Sequence, residues 1–313
     1  MNTIFQPIEA TEWMAAGMPA PPDVYRWDQD DSRYYGRVVD NDGTASVVWY
    51  PSVTTVIRDT SPMPPHLLKW YADKGLDEAH AIRDAAAEYG TEFHKFAGHL
   101  IAGGDISQEY FATFDRRLQK DLQALTRWAD DYNVVPLASE MLLVSDKFGV
   151  AGTVDLVCIM DCREKTGEIT RQVAIVDYKT SSGIYRSHEI QAQMYRHMWN
   201  EIYSDARATI NGKEVRLHAS EAILWRPKDW RKAPTWEEKA VGAQDTYLEI
   251  AMMCNLWKAR NPDWSPKPRV QYQFDGAFNI ATQPQAVTIQ PEQVVLDRHG
   301  MRLGTVTVEV GHE

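Results

Sequence analysis

Cysteine is scarce in this chain, with only Cys158, Cys162 and Cys254 among 313 residues. Three cysteines cannot form the disulfide framework of a small secreted domain, so we expect a reducing, cytoplasmic setting. No uninterrupted apolar run reaches ten residues, which excludes a membrane-spanning helix from the sequence pattern. The first basic residue is Arg26, so we expect no secretory signal or transit peptide at the start of the chain.

Positive charge is in the minority, with 33 lysines and arginines against 44 aspartates and glutamates, a formal net charge of −11. A negative total ordinarily counts against a nucleic-acid partner. It is weak evidence here, because a binding groove needs only local positive charge. The composition is otherwise that of a soluble globular protein, with 44% hydrophobic and 25% charged residues.

Several well-known catalytic motifs are also missing. The chain has no "GxxxxGK[ST]" phosphate-binding loop, so we expect no ATP site. It has no "HExxH" helix, no paired CxxC zinc site and no "GxSxG" nucleophile turn. These absences exclude the usual ATPase motor, zinc protease and serine hydrolase classes.

Three regions can be distinguished along the chain. Residues 1–50 predict a β-hairpin, since the strand-like "RYYGRVV" and "ASVVWYPSV" flank the turn "DNDG". Residues 51–262 carry the pattern of a core, and residues 263–313 are strand-like and interrupted by prolines, which indicates a small appended β-rich module. We expect an α/β (α+β) fold in which a mixed central sheet is flanked by helices.

Hydrophobic periodicity predicts the order of elements in the core. A short helix in "PPHLLKWYADKG" precedes a long one from Asp77 to Ala102 and a third that includes Phe111 and Ala129. Three β segments follow, "LASEMLLVSD", "VAGTVDLVCIM" and "RQVAIVDYKT". Next come an amphipathic helix capped by Ser187, the strand "SEAILWRP" and a final helix over residues 236–259.

The most informative residues are Asp155 in "AGTVDLV" and Asp177 and Lys179 in "IVDYKT". Asp177 and Lys179 are two apart on a predicted strand, so their side chains leave the same face. The turn between the strands is centred near residue 166, which places Asp155 opposite Asp177 with α-carbons about 5.5 Å apart. Facing carboxylates repel each other unless a cation lies between them, and such oxygen ligands suit Mg²⁺ or Mn²⁺. Lys179 would then hold a phosphate or help to activate a water.

A plainer interpretation is that both aspartates face solvent and that Lys179 is their salt-bridge partner. The neighbouring residues are apolar on both sides, however, which is typical of a buried central strand. Because buried charges need partners or metal ions, this pattern favours a site.

These segments resemble the PD-(D/E)XK nuclease superfamily, in which an Asp precedes a "(D/E)-x-K" triplet on the next strand. Four further segments resemble its RecB-like exonuclease branch: "YPSVTTVI" at 50–57, "YGTEFH" at 89–94, "SEMLLV" at 139–144 and "QAQMY" at 191–195. In layout the chain is similar to phage exonucleases and to the mitochondrial genome maintenance exonuclease. The Fe–S members of the branch need four cysteines, so no Fe–S cluster is expected here.

The resemblance implies a set of metal ligands. These are His94, Asp155, Asp177, the backbone carbonyl of Tyr178, and Glu140, which would bind directly or through water. From the sequence alone, either residue 139 or residue 140 lies opposite Asp155. We interpret Gly90, one helical turn before His94, as leaving room for the metal beneath the imidazole; a tight helix crossing is the alternative.

The resemblance also implies residues that contact DNA. Gln191 and Tyr195 lie i, i+4 on one helical face and would position a DNA phosphate or the water network; a polar helix face covering the sheet is the alternative. Ser52 and Thr54 of the "PSVT" block are expected to contact DNA. We treat His188, on the same face as Gln191, as incidental.

A tryptophan-rich stretch, "LWRPKDWRKAPTW", is a separate signal for single-stranded nucleic acid, because bases stack on aromatic rings and cations pair with phosphates. The residues expected to contact DNA are Trp225, Arg226, Trp230, Arg231 and Lys232. Since the chain contains 11 tryptophans, a place in the core is the alternative for each of them.

The sequence therefore suggests a Mg²⁺- or Mn²⁺-dependent DNA exonuclease that acts on single strands or DNA ends in recombination, repair or replication. Its setting would be the cytoplasm, or the host cytoplasm if the protein is phage-encoded, and a recombination or single-strand-binding protein is an expected partner. One alternative is a structure-specific or restriction-type endonuclease on the same core. Another is a catalytically silent DNA-binding subunit, which should have lost a carboxylate or the lysine; all are present.

Overall fold

The computed structural model describes residues 12–29, 32–41, 44–163, 166–242, 246–267, 292–296 and 302–307. The strands are β1 Trp13–Met14, β2 Tyr25–Gln29, β3 Ser32–Asn41, β4 Thr44–Pro51, β5 Val135–Ser145, β6 Val150–Arg163, β7 Ile169–Tyr178, β8 Arg207–Ile210, β9 Lys213–Arg216, β10 Ala219–Lys228, β11 Thr235–Ala240, β12 Glu292–Leu296 and β13 Arg302–Thr307. The helices are α1 Val53–Thr60, α2 Pro65–Lys74, α3 Leu76–Ile101, α4 Gln108–Phe111, α5 Arg116–Asp131, α6 Arg186–Tyr203 and α7 Thr246–Arg260.

A six-stranded sheet in the order β1-β5-β6-β7-β10-β11 forms the centre of the protein. Strand β5 pairs antiparallel with β6, and β6 pairs antiparallel with β7, as the short connections between them require. Strand β10 pairs parallel with β7, and the crossover between them contains α6. The expected mixed α/β architecture, a mixed sheet flanked by helices, is confirmed.

Helices cover both faces of this sheet, which explains why β6 and β7 are apolar on both sides. On one face, Val157 and Ile175 pack in a cluster that includes Trp199 of α6. On the other, Cys158 belongs to a cluster with Phe93 of α3 and residues of α5. Polar side chains at the middle of these strands are therefore removed from water.

The register of β6 against β7 is the one expected from the turn position. Leu156 pairs with Val176, and the ladder continues through Cys158 and Ala174 to Arg163. Asp155 and Asp177 lie one position beyond the first of these pairs, on facing strands. The two residues are 8% and 0% exposed, so the solvent-facing interpretation is wrong.

Two helix boundaries differ from the predictions. The helix expected to include Phe111 begins only at Arg116, where the Asp115 carboxylate accepts a hydrogen bond from the Arg117 N–H at 2.7 Å. Helix α6 begins at Arg186, with Tyr185 as its cap, so Ser187 lies inside the helix.

The final helix predicted over residues 236–259 is wrong in its first part. Residues Thr235–Ala240 form β11, which pairs antiparallel with β10, and helix α7 starts at Thr246. The sequence "EEKA" favours a helix locally, but the open edge of β10 supplies hydrogen bonds that outweigh this weak preference.

The N-terminal hairpin is confirmed as β3 and β4, with β2 completing a three-stranded antiparallel sheet. Strands β12 and β13 pair with each other. The other strand-like segments of the C-terminal module, "RVQYQF" and "AVTIQ", lie outside the described residues. Within the described part of the chain, no helix has both the length and the apolar character needed to cross a membrane.

Candidate metal centre

Three side chains that can bind a metal converge from three elements: His94 from α3, Glu140 from β5 and Asp155 from β6. The Nδ1 atom of His94 lies 3.4 Å from Asp155 Oδ1 and 3.6 Å from Glu140 Oε1. One ligand atom of each residue lies within 4.8 Å of the others. One imidazole and two carboxylates thus form a compact candidate metal site.

Glu140 occupies an unusual backbone conformation. Ser139 pairs with Leu156 and Met141 pairs with Val154, so Glu140, and not residue 139, lies opposite Asp155. Its φ of 50° is in the left-handed region, which costs a residue other than glycine about 1–3 kcal/mol. Such strain inside a central strand is typical of functional sites, where the backbone is bent to direct a side chain.

Asp177 is fully buried beside this group and forms an ion pair with Lys179. The Nζ atom of Lys179 lies 2.6 Å from Asp177 Oδ2. Asp177 Oδ1 is buried and has no hydrogen-bond partner among the described residues. Asp155 is better satisfied, because its Oδ2 accepts a hydrogen bond from the Tyr178 N–H at 2.7 Å.

Gln191 and Tyr195 extend the site onto α6. Lys179 Nζ donates a hydrogen bond to Gln191 Oε1 at 3.1 Å, and Gln191 Nε2 donates to the Tyr195 hydroxyl at 3.4 Å. Gly152, in the "AGTVD" segment, has a role that the sequence pattern does not reveal. A Cβ at Gly152 would lie only 2.9 Å from Tyr195 Cε1, so glycine is required for Tyr195 to fit against β6.

The charges of the site influence one another strongly. Burial would lower the pKa of His94, but the Asp155 and Glu140 carboxylates raise it well above its ordinary value. Burial raises the pKa of Glu140, and the charge of Asp155 adds to this effect. Burial also raises the pKa of Asp177, to about 6, despite the opposing charge of Lys179. Burial would raise the pKa of Asp155, but the charges of His94 and Lys179 lower it below its ordinary value, so the negative charge that is poorly compensated lies on Glu140 and Asp177.

These residues fit a divalent cation by their chemistry. Glu140 Oε1, like Asp177 Oδ1, is buried without a hydrogen-bond partner among the described residues. Carboxylate oxygens suit Mg²⁺ and Mn²⁺, and an imidazole nitrogen also suits Zn²⁺ and Fe²⁺.

Tyr178 and Gly90 both contribute to packing around the site. The Tyr178 ring is buried between Phe93 and Trp225. The interpretation of Gly90 as leaving room for a metal beneath His94 stays a prediction. A Cβ at Gly90 would lie 3.3 Å from Thr180 Oγ1, so this glycine permits a close approach of α3 to Thr180. His188 accepts a hydrogen bond at Nδ1 from the Tyr185 N–H, at the start of α6.

Ser52 and Thr54 lie at the start of α1. Ser52 is 3% exposed, and its hydroxyl accepts a hydrogen bond from the Thr55 N–H at 3.0 Å, as a helix cap does. The Thr54 side chain is exposed and lies 2.9 Å from the Ser52 hydroxyl. The local structure therefore explains Ser52 by its capping role, whereas contact of Thr54 with DNA stays a prediction.

The tryptophan-rich stretch is divided between core and surface. Trp225 is fully buried against Phe93 and Trp128, so its ring is not available to stack on a base. Arg226 pairs with Glu237 at 3.1 Å. Half-buried Trp230 donates a hydrogen bond from Nε1 to the Lys120 carbonyl at 3.2 Å. Exposed cations that could contact DNA in this stretch include Arg231 and Lys232.

Comparison of the chain with protein-family models and with curated proteins finds no match.

The raised pKa of Asp177 predicts how stability changes with pH in the metal-free protein. Its pKa is raised from 3.8 to about 6, so the folded state holds an extra proton between these values and the free energy of unfolding falls as pH rises through this window. Asp177→Asn removes the buried charge. We expect the variant to be more stable than wild type at pH 7 and equally stable below pH 4, as measured by urea unfolding in EDTA.

Asp161→Asn is a control of opposite sign on the neighbouring strand. Hydrogen bonds from Asn133 and Arg171 lower the pKa of Asp161, so its neutral replacement should reduce stability at pH 7. A marked loss of stability in Asp177→Asn at pH 7 would show instead that Asp177 is a structural partner of Lys179.

Proposed function

We propose that the protein is a Mg²⁺- or Mn²⁺-dependent deoxyribonuclease with a PD-(D/E)XK-type core, and that it acts as an exonuclease. The proposal rests on one observation above all: His94, Glu140 and Asp155 converge in one compact group, and Asp177, paired with Lys179, lies on the strand next to Asp155. The sequence resemblance supplies the reaction class, and the geometry is compatible with it. DNA is the proposed substrate, and the cytoplasm, in a host cell if the gene is viral, is the proposed setting.

The residues that would hold the cation are His94, Glu140 and Asp155, joined by Asp177 and the Tyr178 carbonyl. A cation bound there would supply a water of lowered pKa and stabilise negative charge on the scissile phosphate. Burial of the carboxylates keeps competing water away from these oxygens and strengthens their attraction for a divalent ion.

Lys179 would orient the attacking water or contact the phosphate. Its ammonium group is held between Asp177 and Gln191, so two neighbours fix the direction of a long and otherwise flexible side chain. Its side chain is 15% exposed, which leaves it accessible from the site while most of its length is covered. Gln191 and Tyr195 then act as a support that holds Lys179 in place.

A catalytically silent DNA-binding subunit is disfavoured by this arrangement. Burying Asp155 and Asp177 costs free energy, and such a pair is hard to explain in a protein that only binds DNA. An endonuclease on the same core has the same site and differs in its requirement for a DNA end.

The first prediction of the proposed function concerns the metal. Cleavage of end-labelled DNA should require Mg²⁺ or Mn²⁺, stop in EDTA and show no effect of ATP. His94→Ala should weaken the metal-induced rise in melting temperature, because it removes one ligand. His99→Ala is the matched control on the same helix, where His99 Nε2 contacts the Asp105 carbonyl at 3.1 Å. Cleavage that persists after exhaustive chelation would contradict the mechanism.

The second prediction separates exonuclease from endonuclease. If the enzyme needs a free end, circular single-stranded DNA should survive while the same DNA, linearised at one position, is degraded. The measurement is the size of the products over time at equal enzyme concentration. Rapid nicking of the circle would favour the endonuclease alternative and contradict the proposed end requirement.

A further inference from the structure

The backbone that follows Lys179 is held on two sides. The Lys179 N–H donates a hydrogen bond to the Trp225 carbonyl at 2.8 Å, which continues the pairing of β7 with β10. At the next residue the strand pairing ends, and the Thr180 carbonyl accepts a hydrogen bond from Arg117 Nη2 of α5 at 3.1 Å. Arg117 thus contacts the chain directly after the lysine of the proposed site.

Arg117 is itself held in position by two residues. Its guanidinium lies over the Tyr89 ring, 3.8 Å from the centroid, and its Nε lies 3.7 Å from Asp121 Oδ2. The Tyr89 hydroxyl donates a hydrogen bond to the same Asp121 oxygen at 2.5 Å. The carboxylate is buried, so the three side chains form a fixed cluster between α3 and α5.

Thr180 is confined from the other direction by α3. The space at Gly90, next to Tyr89, admits the Thr180 side chain, and an added Cβ would lie 3.3 Å from its hydroxyl oxygen. Helix α3 also carries His94, one turn further along. The cluster therefore connects the end of β7 to the helix that supplies a proposed metal ligand.

We propose that Arg117 is a positioning residue for Lys179: it fixes the backbone at Thr180 and thereby the placement of the Lys179 ammonium between Asp177 and Gln191. This inference rests on the proposed nuclease function. A displacement of about 1 Å at a catalytic group can cost about 100-fold in rate, so a contact one residue away is well placed to matter. Direct binding of a DNA phosphate by the half-exposed Arg117 is the competing explanation, and the experiment separates the two.

Steady-state cleavage by Arg117→Ala, Arg117→Lys and a control, Arg127→Ala, provides the test. Arg127 lies on the same helix as Arg117, and each arginine pairs with an aspartate four residues later, Asp131 and Asp121 respectively. The side chain of Arg127 is 60% exposed and that of Arg117 is 56% exposed. We expect Arg117→Ala to lower kcat by roughly 10- to 100-fold with KM changed less than about threefold. Arg117→Lys should restore part of the rate, because lysine keeps a cationic donor but lacks the planar guanidinium. Arg127→Ala should behave as wild type.

An increase in KM with unchanged kcat, together with a weaker salt dependence of binding, would show that Arg117 binds phosphate and would overturn the proposal. Equal behaviour of Arg117→Ala and Arg127→Ala would overturn it as well. In the positioning account, the metal-induced rise in melting temperature stays as in wild type, because Arg117 is not a metal ligand.

Amide hydrogen exchange supplies a readout that does not depend on catalysis. Exchange of the Lys179 amide, which is hydrogen-bonded to the Trp225 carbonyl, should accelerate at least about tenfold in Arg117→Ala and stay unchanged in Arg127→Ala. Unchanged exchange at Lys179 would overturn the proposal even if the rate fell. If wild type lacks nuclease activity while exchange responds as expected, the proposed function fails and the restraint by Arg117 stands.

The contact at Gly90 gives a second set of variants that does not remove Arg117. Gly90→Ala should displace Thr180 and lower kcat, and adding Thr180→Ala, which removes the crowded hydroxyl, should restore much of the loss. A double variant no better than Gly90→Ala would contradict the view that Thr180 placement controls the rate.

Discussion

The burial of two like charges on adjacent strands is the constraint on which most of the site depends. Asp155 and Asp177 lie at the centre of a sheet whose two faces are covered by helices, where water cannot solvate them. Each carboxylate raises the cost of ionising the other, and burial adds to that cost. A fold that retains this pair must supply compensating groups close by.

The compensating groups come from the neighbouring elements, but they neutralise the buried negative charge only in part. His94 from α3 faces Asp155, the Tyr178 N–H donates to it, and Lys179 pairs with Asp177. Even so, the pKa of Asp177 stays raised at about 6, because burial outweighs the attraction of Lys179. In our account a divalent cation supplies the positive charge that the protein itself lacks. The strained backbone of Glu140 is then explained as the means by which a third carboxylate is directed to the same point.

The sequence predicted those parts of the site that depend only on the alternation of side chains along a strand. The face shared by Asp177 and Lys179 and the register that opposes Asp155 to Asp177 follow from alternation and turn position alone. The distance between His94 and Glu140 could not follow in this way, because it depends on how α3 packs on the sheet. The resemblance to a nuclease family, and no local rule, suggested that pair.

Other features were decided by packing that no local pattern records. Trp225 occurs in a stretch rich in cations, yet its place in β10 directs it into the core beside Phe93. Residues 235–240 favour a helix, but they complete the edge of the sheet. Gly90 and Arg117 both contact Thr180, which lies far from them along the chain. Only the fold brings the three residues together, so no local pattern predicts these contacts.

Lys179→Ala separates the proposed chemistry from metal binding and so tests the central claim most directly. The measurement combines Mn²⁺ binding, by electron paramagnetic resonance or calorimetry, with the rate of DNA cleavage by the same preparation. Our account predicts that Mn²⁺ still binds, because His94, Glu140 and Asp155 are intact, and that the cleavage rate falls by about 10²- to 10⁴-fold. Cleavage at the wild-type rate, or loss of Mn²⁺ binding along with activity, would contradict it.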